Sequence, residues 1–266
     1  MTEDIKTEKP KEENKKKSHT KIEVNMRIIP KIDLGIRAVD ARISKSRQWT
    51  RDSKIIGGVK KDGDDYGILA FREGTWKAKN PLNRKLVIKL FTMSEYWRGS
   101  IEMLQGESVM TSRAHRRSCA AYSCLIDKTS ILIKIHQFRA SILRGEIFGL
   151  DLVDEDRVHN AYVIDDIRLT LGSDWKVKDL SGRKVAKIDG KLFSFGGKYV
   201  INIYDEDLAN DAQFFTTLIL FAATLKYKND VKKTIKSTLK AIKKGAKLKL
   251  RKGESDLYLN PRMLRY

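Results

Sequence analysis

The run DAQFFTTLILFAATL, Asp211 to Leu225, carries no charge after Asp211 and contains neither Gly nor Pro. Its large apolar residues keep to no single stripe. Phe214, Phe215, Leu218, Ile219, Leu220, Phe221 and Leu225 point all round a 3.6-residue turn. A helix that is apolar all round must be buried all round, in a bilayer or inside a protein. Crossing a bilayer takes about 20 apolar residues, and this run stops short of that at Lys226, Tyr227 and Lys228. The reading is a short helix enclosed by the rest of the fold, with no transmembrane span. A core helix lying on an ordinary sheet is the plainer alternative. Asn210 or Asp211 is a natural N-cap, because either side chain can accept from the first free backbone N–H groups.

The stretch before the helix decides between the two. From Lys54 onward, short apolar runs alternate with turn residues. They are Ile55–Val59, Tyr66–Phe71, Trp76–Lys79, Leu86–Phe91, Ser100–Leu104, Ala120–Ile126, Ile131–Phe138, Ser141–Ile147, Ala161–Ile164, Ile167–Leu171, Trp175–Lys178, Lys184–Ile188, Lys191–Phe195 and Lys198–Tyr204. Strands punctuated by Gly, Asp and Asn at this spacing predict an antiparallel meander. Lys176, Lys178, Lys187 and Lys191 alternate with Trp175, Val177, Ile188 and Leu192, as in a sheet with one wet face. The segment Trp175–Ile188 also lines up without gaps on Trp76–Lys89. That echo predicts two related halves, with Trp76 and Trp175 buried at related strand positions. A mainly β fold follows: a closed antiparallel barrel of about twelve strands around the 211–225 helix, closure removing the exposed edges.

The hairpin WKVKDLSGRKVAKIDGKLFSFGGKYVINI (Trp175–Ile203), with the apolar helix after it, resembles the C-terminal part of the LURP-one-related family. That family lies within the tubby C-terminal-like group, which includes phospholipid scramblases. The similarity runs from Val163 to Tyr227, and its marks are the D-x-x-G turn (Asp179, Gly182), the K-V-A-K-I strand and the K-L-F-S-F segment. It implies a twelve-stranded barrel with the C-terminal helix threaded through it. It implies no conventional enzyme chemistry. Tubby domains bind phosphoinositides through basic surface residues, and scramblases are linked to lipid movement and calcium. This chain departs from both, lacking a Cys-rich palmitoylation segment and carrying its basic tail after the helix.

The chain has 266 residues and a formal net charge of +20. From Lys226 to Lys252 there are twelve Lys or Arg against the single Asp230. Such a concentration seeks polyanions: anionic lipid, nucleic acid or an acidic protein. Residues 1–22 are Lys/Glu-rich and nearly free of apolar side chains, which predicts a disordered tail. Residues 23–227 are then the barrel and 228–266 a basic amphipathic extension. The segment 22–43 has no clear assignment, though Arg37, Arg42, Lys45, Arg47 and Arg51 make its surroundings basic. Within the extension, Val231, Ile235, Leu239, Ile242 and Ala246 fall on one helical face. A narrow apolar stripe in a cationic helix suits the interface of an anionic bilayer. On that reading a chain ending at Tyr227 still folds. A solvated basic arm and a nucleic-acid contact are the alternatives.

No nucleophile–base constellation stands out, and His19, His115, His136 and His159 form no metal spacing with Cys119 and Cys124. The expectation is a non-enzymatic binding module without cofactor or metal, in the cytoplasm and peripheral at a membrane. Its free thiols suit a reducing compartment. Its lead ligand is an anionic membrane surface or phosphoinositide, with nucleic acid, and then lipid-moving activity, as the alternatives. The candidate anion-binding residues are Arg113, His115, Arg116 and Arg117, read as a basic loop, and Lys232, Lys233, Lys236, Lys240, Lys243 and Lys244. The acidic run Asp205, Glu206, Asp207 and Asp211 reads as helix capping. Calcium is the alternative that the scramblase resemblance raises for it.

Overall fold

The computed structural model describes residues 19–26, 46–141, 145–154, 156–167, 174–190 and 197–259. Twelve strands form one closed antiparallel barrel. In chain order they are β1 (Thr20–Asn25), β2 (Ser53–Lys61), β3 (Asp64–Arg72), β4 (Val87–Phe91), β5 (Trp97–Met103), β6 (Ala121–Ile126), β7 (Ile133–Ser141), β8 (Gly145–Val153), β9 (His159–Ile167), β10 (Asp174–Asp179), β11 (Lys184–Gly190) and β12 (Lys198–Ile203). Each strand pairs with its sequence neighbours. β1 closes the ring, Ile22 opposite Ile201 on one side and Val24 opposite Val59 on the other.

Side chains alternate across the wall. Ile22 and Val24 of β1 point in, while Lys21 and Glu23 point out. Trp175 and Val177 of β10 are buried, while Lys176 and Lys178, which alternate with them, are half-exposed. The interior is therefore apolar and the exterior charged, the inverse of a transmembrane barrel.

The axis is filled by α4 (Ala212–Leu225), in which every residue from Phe214 to Leu225 is buried. Asp211 is its N-cap, one carboxylate oxygen accepting from the N–H groups of Gln213 and Phe214 at 2.7 and 3.2 Å. Rings meet it from several sides: Phe214 lies 5.0 Å from Tyr162 of β9, Phe215 5.9 Å from Tyr66 of β3, and Phe221 5.1 Å from Phe148 of β8. A β-carbon on Gly99 of β5 would stand 3.3 Å from Thr216 Cγ2 and 3.0 Å from Leu125 O, so glycine lets wall and helix close up there. Full enclosure, not a helix lying on a sheet, is what twelve strands allow.

Among the described residues, six further pieces accompany the barrel. They are α1 (Glu73–Trp76), a 3₁₀ turn at Pro81–Asn83, α2 (Gln105–His115), α3 (Glu206–Asn210), α5 (Lys228–Lys243), and α6 (Lys252–Ser255) running into a 3₁₀ turn at Asp256–Tyr258. Here several expectations need correction. Trp76 ends a helix and is only partly buried, whereas Trp175 lies in a strand and is fully buried, so the two-halves echo does not hold. The physical reason is local: Asn80 accepts from Leu82 N–H and caps a 3₁₀ turn opened by Pro81, where β10 instead runs into its hairpin. The barrel begins at Thr20, inside the segment read as tail. The Arg113–Arg117 cluster terminates a helix rather than decorating a loop. The stretches 1–18, Lys191–Phe195 and most of Ile167–Leu171 lie outside the described residues, as do Arg37, Arg42 and Lys45.

The largest correction concerns the extension. The apolar stripe of α5 faces inward: Val231 and Ile235 belong to the barrel core, and Leu239 packs against it. Thr238 donates to Pro81 O at 3.1 Å. The stripe seals the barrel end and is not free to enter a bilayer. A chain ending at Tyr227 would leave that end of the core open to water.

Candidate anion-binding face

With its apolar side buried, α5 turns its lysines outward. Lys233, Lys236, Lys240, Lys243 and Lys244 are all exposed and recur once per turn. Lys233 lies 3.3 Å from exposed Asp230, a weak surface pair. Lys232 behaves differently. It turns back to bond the buried Glu146 carboxylate, which Lys228 also approaches at 3.7 Å. Removing a partner from a buried carboxylate is costly, so Lys232 is committed to structure and leaves the candidate set.

The second cluster sits beside the first. Helix α2 packs against α5 and ends at Arg116, whose backbone is left-handed (φ 54°). Arg117 N–H then returns to Ser112 O at 3.2 Å. Arg113, His115, Arg116 and Arg117 are all exposed. Cations at a helix C-terminus are favoured by its dipole, which accounts for part of their presence. Their location adds more. The Cys119 thiol is pushed up by burial and by Glu146, and held back by Lys232 and Arg117. Lys232 and Arg117 both lie near Cys119, and α2 packs against α5, so the two clusters sit on adjacent helices. Among the described residues, Arg113, Arg116, Lys236, Lys240, Lys243 and Lys244 have no acidic partner within ion-pair distance.

Residues that sequence reading missed hold this face in place. Helix α2 has Leu104 at its N-cap, which offers no side-chain acceptor. Glu254 of α6, itself buried, supplies the missing oxygens to Gln105 and Gly106. Arg251 reaches Thr75 Oγ1 and Asn83 O, both at 3.3 Å. Glu107 in the first turn of α2 is buried too, with Lys134 Nζ at 2.9 Å and His136 Nδ1 at 3.4 Å.

Other groups singled out from the sequence fall elsewhere. Asp205 caps α3 through Leu208 N–H at 3.2 Å, as Asp211 caps α4. Among the described residues, no group of three or more His, Cys, Asp or Glu is placed to hold a metal ion. Cys119 and Cys124 are buried free thiols, Cys124 raised well above the usual thiol range by burial alone. His159 pairs with Asp151 at 3.0 Å on the surface. Among the described residues, no helix is long and apolar enough to cross a membrane.

Compared with known protein families, with curated proteins and with solved structures, the chain shows no match.

Proposed function

We propose that this protein is a non-enzymatic binding module that docks on an anionic membrane surface through the end of the barrel capped by α5 and α2. One observation carries the reading: the lysines of α5 form an outward stripe beside the arginines of α2, with their apolar counterparts spent inside the fold. The attachment is therefore electrostatic. Each Lys or Arg near an anionic leaflet contributes roughly 1 kcal/mol, so a handful gives reversible binding without a buried helix face. The barrel axis is filled by α4, which leaves the outer surface to bind ligands. A twelve-stranded wall around an apolar helix is what the tubby-like and LURP-one-like resemblance implied, and the peripheral, cytoplasmic role is part of the same proposal.

The test is co-sedimentation with phosphatidylserine-containing vesicles beside a duplex DNA and RNA shift assay, each at low and physiological salt. The expected result is vesicle binding that weakens with salt and is abolished in Lys233→Glu/Lys236→Glu/Lys240→Glu. Binding to nucleic acid but not vesicles, with affinity falling steeply in salt, would replace the membrane reading with the nucleic-acid one. Equal vesicle binding by the triple variant would remove α5 as the docking element.

A further inference from the structure

The cationic face has an apolar edge. Met110 on α2 is 67% exposed, and Leu257, Tyr258 and Leu259 are 37%, 57% and 51% exposed. Helix α2 presents Gly106, Met110 and Arg113 along one side, three or four residues apart. The first of these is covered, Leu250 lying 3.2 Å from where a Gly106 β-carbon would sit. Met110 comes next and is uncovered, and Arg113 follows.

The segment after Leu250 stays beside α2. Glu254 grips the backbone of Gln105 and Gly106. Tyr258 then lies close enough to Glu107, one turn before Met110, that burial first and the Glu107 and Glu254 carboxylates next push its hydroxyl up. These apolar side chains are thus held on the surface by the Glu254 anchor. Exposed apolar residues gathered into one patch mark an interaction site.

We propose that Met110, Leu257, Tyr258 and Leu259 form an apolar tip that enters the head-group region of an anionic bilayer while the neighbouring cations hold its phosphates. The proposal rests on the membrane reading above and adds which residues leave water. Three features commit it to lipid. Arg113 and Arg116, without acidic partners, stand within two turns of Met110, giving a cationic flank to an apolar edge. The apolar side chains project from a helix and a 3₁₀ turn, and a fluid interface takes up such a contour without a matching surface. A tyrosine at the rim has an apolar ring and a polar tip, the combination that settles at head-group depth.

The experiment uses the full chain with Met110→Cys carrying an environment-sensitive nitrobenzoxadiazole label, Cys119 and Cys124 being buried. A Leu180→Cys label, on the exposed β10–β11 turn, is the control. On phosphatidylserine–phosphatidylcholine vesicles, the Met110 label is expected to shift to the blue and to be quenched by spin-labelled lipid, and the Leu180 label to remain unchanged. Leu257→Ser/Leu259→Ser is expected to keep low-salt binding and to lose about tenfold in affinity at high salt, where apolar burial is what remains. Vesicle binding with an unchanged Met110 label would overturn the apolar tip and leave the electrostatic reading intact. Absence of vesicle binding altogether would overturn both. A Met110 label that shifts with protein concentration and without vesicles would assign the tip to a second copy of the chain and overturn the proposal.

Discussion

Glu254 caps helix α2 from the far end of the chain, its Oε2 accepting the Gln105 N–H at 3.0 Å and its Oε1 the Gly106 N–H at 2.6 Å. A carboxylate at a helix N-terminus satisfies free donors and meets the positive end of the dipole. Leu104, at the position where Ser, Thr, Asp or Asn is usual, cannot do either. Glu254→Ala should therefore lower stability by about 2 kcal/mol, read as a shift in the urea midpoint. Glu254→Gln, which keeps an acceptor and loses the charge, should cost less. Hydrogen exchange at the Gln105 and Gly106 amides should quicken in both. Unaltered midpoints and exchange would mean that α2 stands without its distant cap.

Helix α5 belongs to the folded unit. Val231 and Ile235 are part of the core, and Thr238 bonds the Pro81 carbonyl. Ile235→Ala should cost about 2–4 kcal/mol, the range for a large aliphatic residue truncated in a packed core. A chain ending at Tyr227 should unfold at markedly lower urea or fail to accumulate in soluble form. Lys240→Ala, on the exposed side, should change stability by less than about 0.5 kcal/mol. Equal stability of the full and shortened chains would show that the barrel end needs no seal.

Leu220 lies at the middle of the enclosed helix, fully buried. Leu220→Lys would place an ammonium among aromatic and aliphatic side chains without a partner, at a cost of several kcal/mol. Loss of soluble folded protein is expected, by circular dichroism and gel filtration. Leu220→Met, nearly equal in volume, should cost less than about 1.5 kcal/mol. A well-folded lysine variant would contradict the enclosure of α4.

Much of this architecture could be read from residues alone, and the parts that could not have definite causes. The α4 run declares itself because an all-apolar, uncharged helix has nowhere to go but inside. The α5 stripe declares a helix but not its partner: the same spacing of Val231, Ile235 and Leu239 suits a bilayer and a barrel end equally. The burial of Val231 and Ile235 in the barrel core decides between them. Helix α2 was hidden because its buried side is polar. Gln105, Glu107, Ser108 and Ser112 bond to Leu82 O, Lys134, Ala121 and Cys119, partners outside the helix that no local pattern reveals. Strand β1 did carry a signal, the strict alternation of Thr20–Asn25, masked by the Lys/Glu-rich sequence before it. The basic clusters were visible, but not that they sit on adjacent helices, nor that Lys232 is withdrawn by Glu146.

The β10–β11 turn makes the barrel sensitive to acid. Hydrogen bonds from Ser181 Oγ at 2.6 Å and Arg183 Nε at 3.0 Å, with Arg183 N–H at 2.9 Å, hold the Asp179 carboxyl down at about 2 against its ordinary 3.8. Arg183 continues to Asp205, 3.0 Å away, the cap of α3 just before the central helix. A carboxyl whose folded-state value lies below its unfolded one stabilises the fold fully above the unfolded value. That contribution fades as pH falls from 3.8 toward about 2, where the folded form also takes up its proton. Asp179→Asn should remove this dependence. The difference in urea midpoint between wild type and variant should therefore be constant above about pH 5 and shrink below it. The site is open to water, so salt should reduce the part due to Arg183 while leaving the turn bonds from Ser181 and the Arg183 N–H. A wild-type–variant difference that stays constant from pH 5 down to 2 would show that Asp179 is not held ionised by this turn.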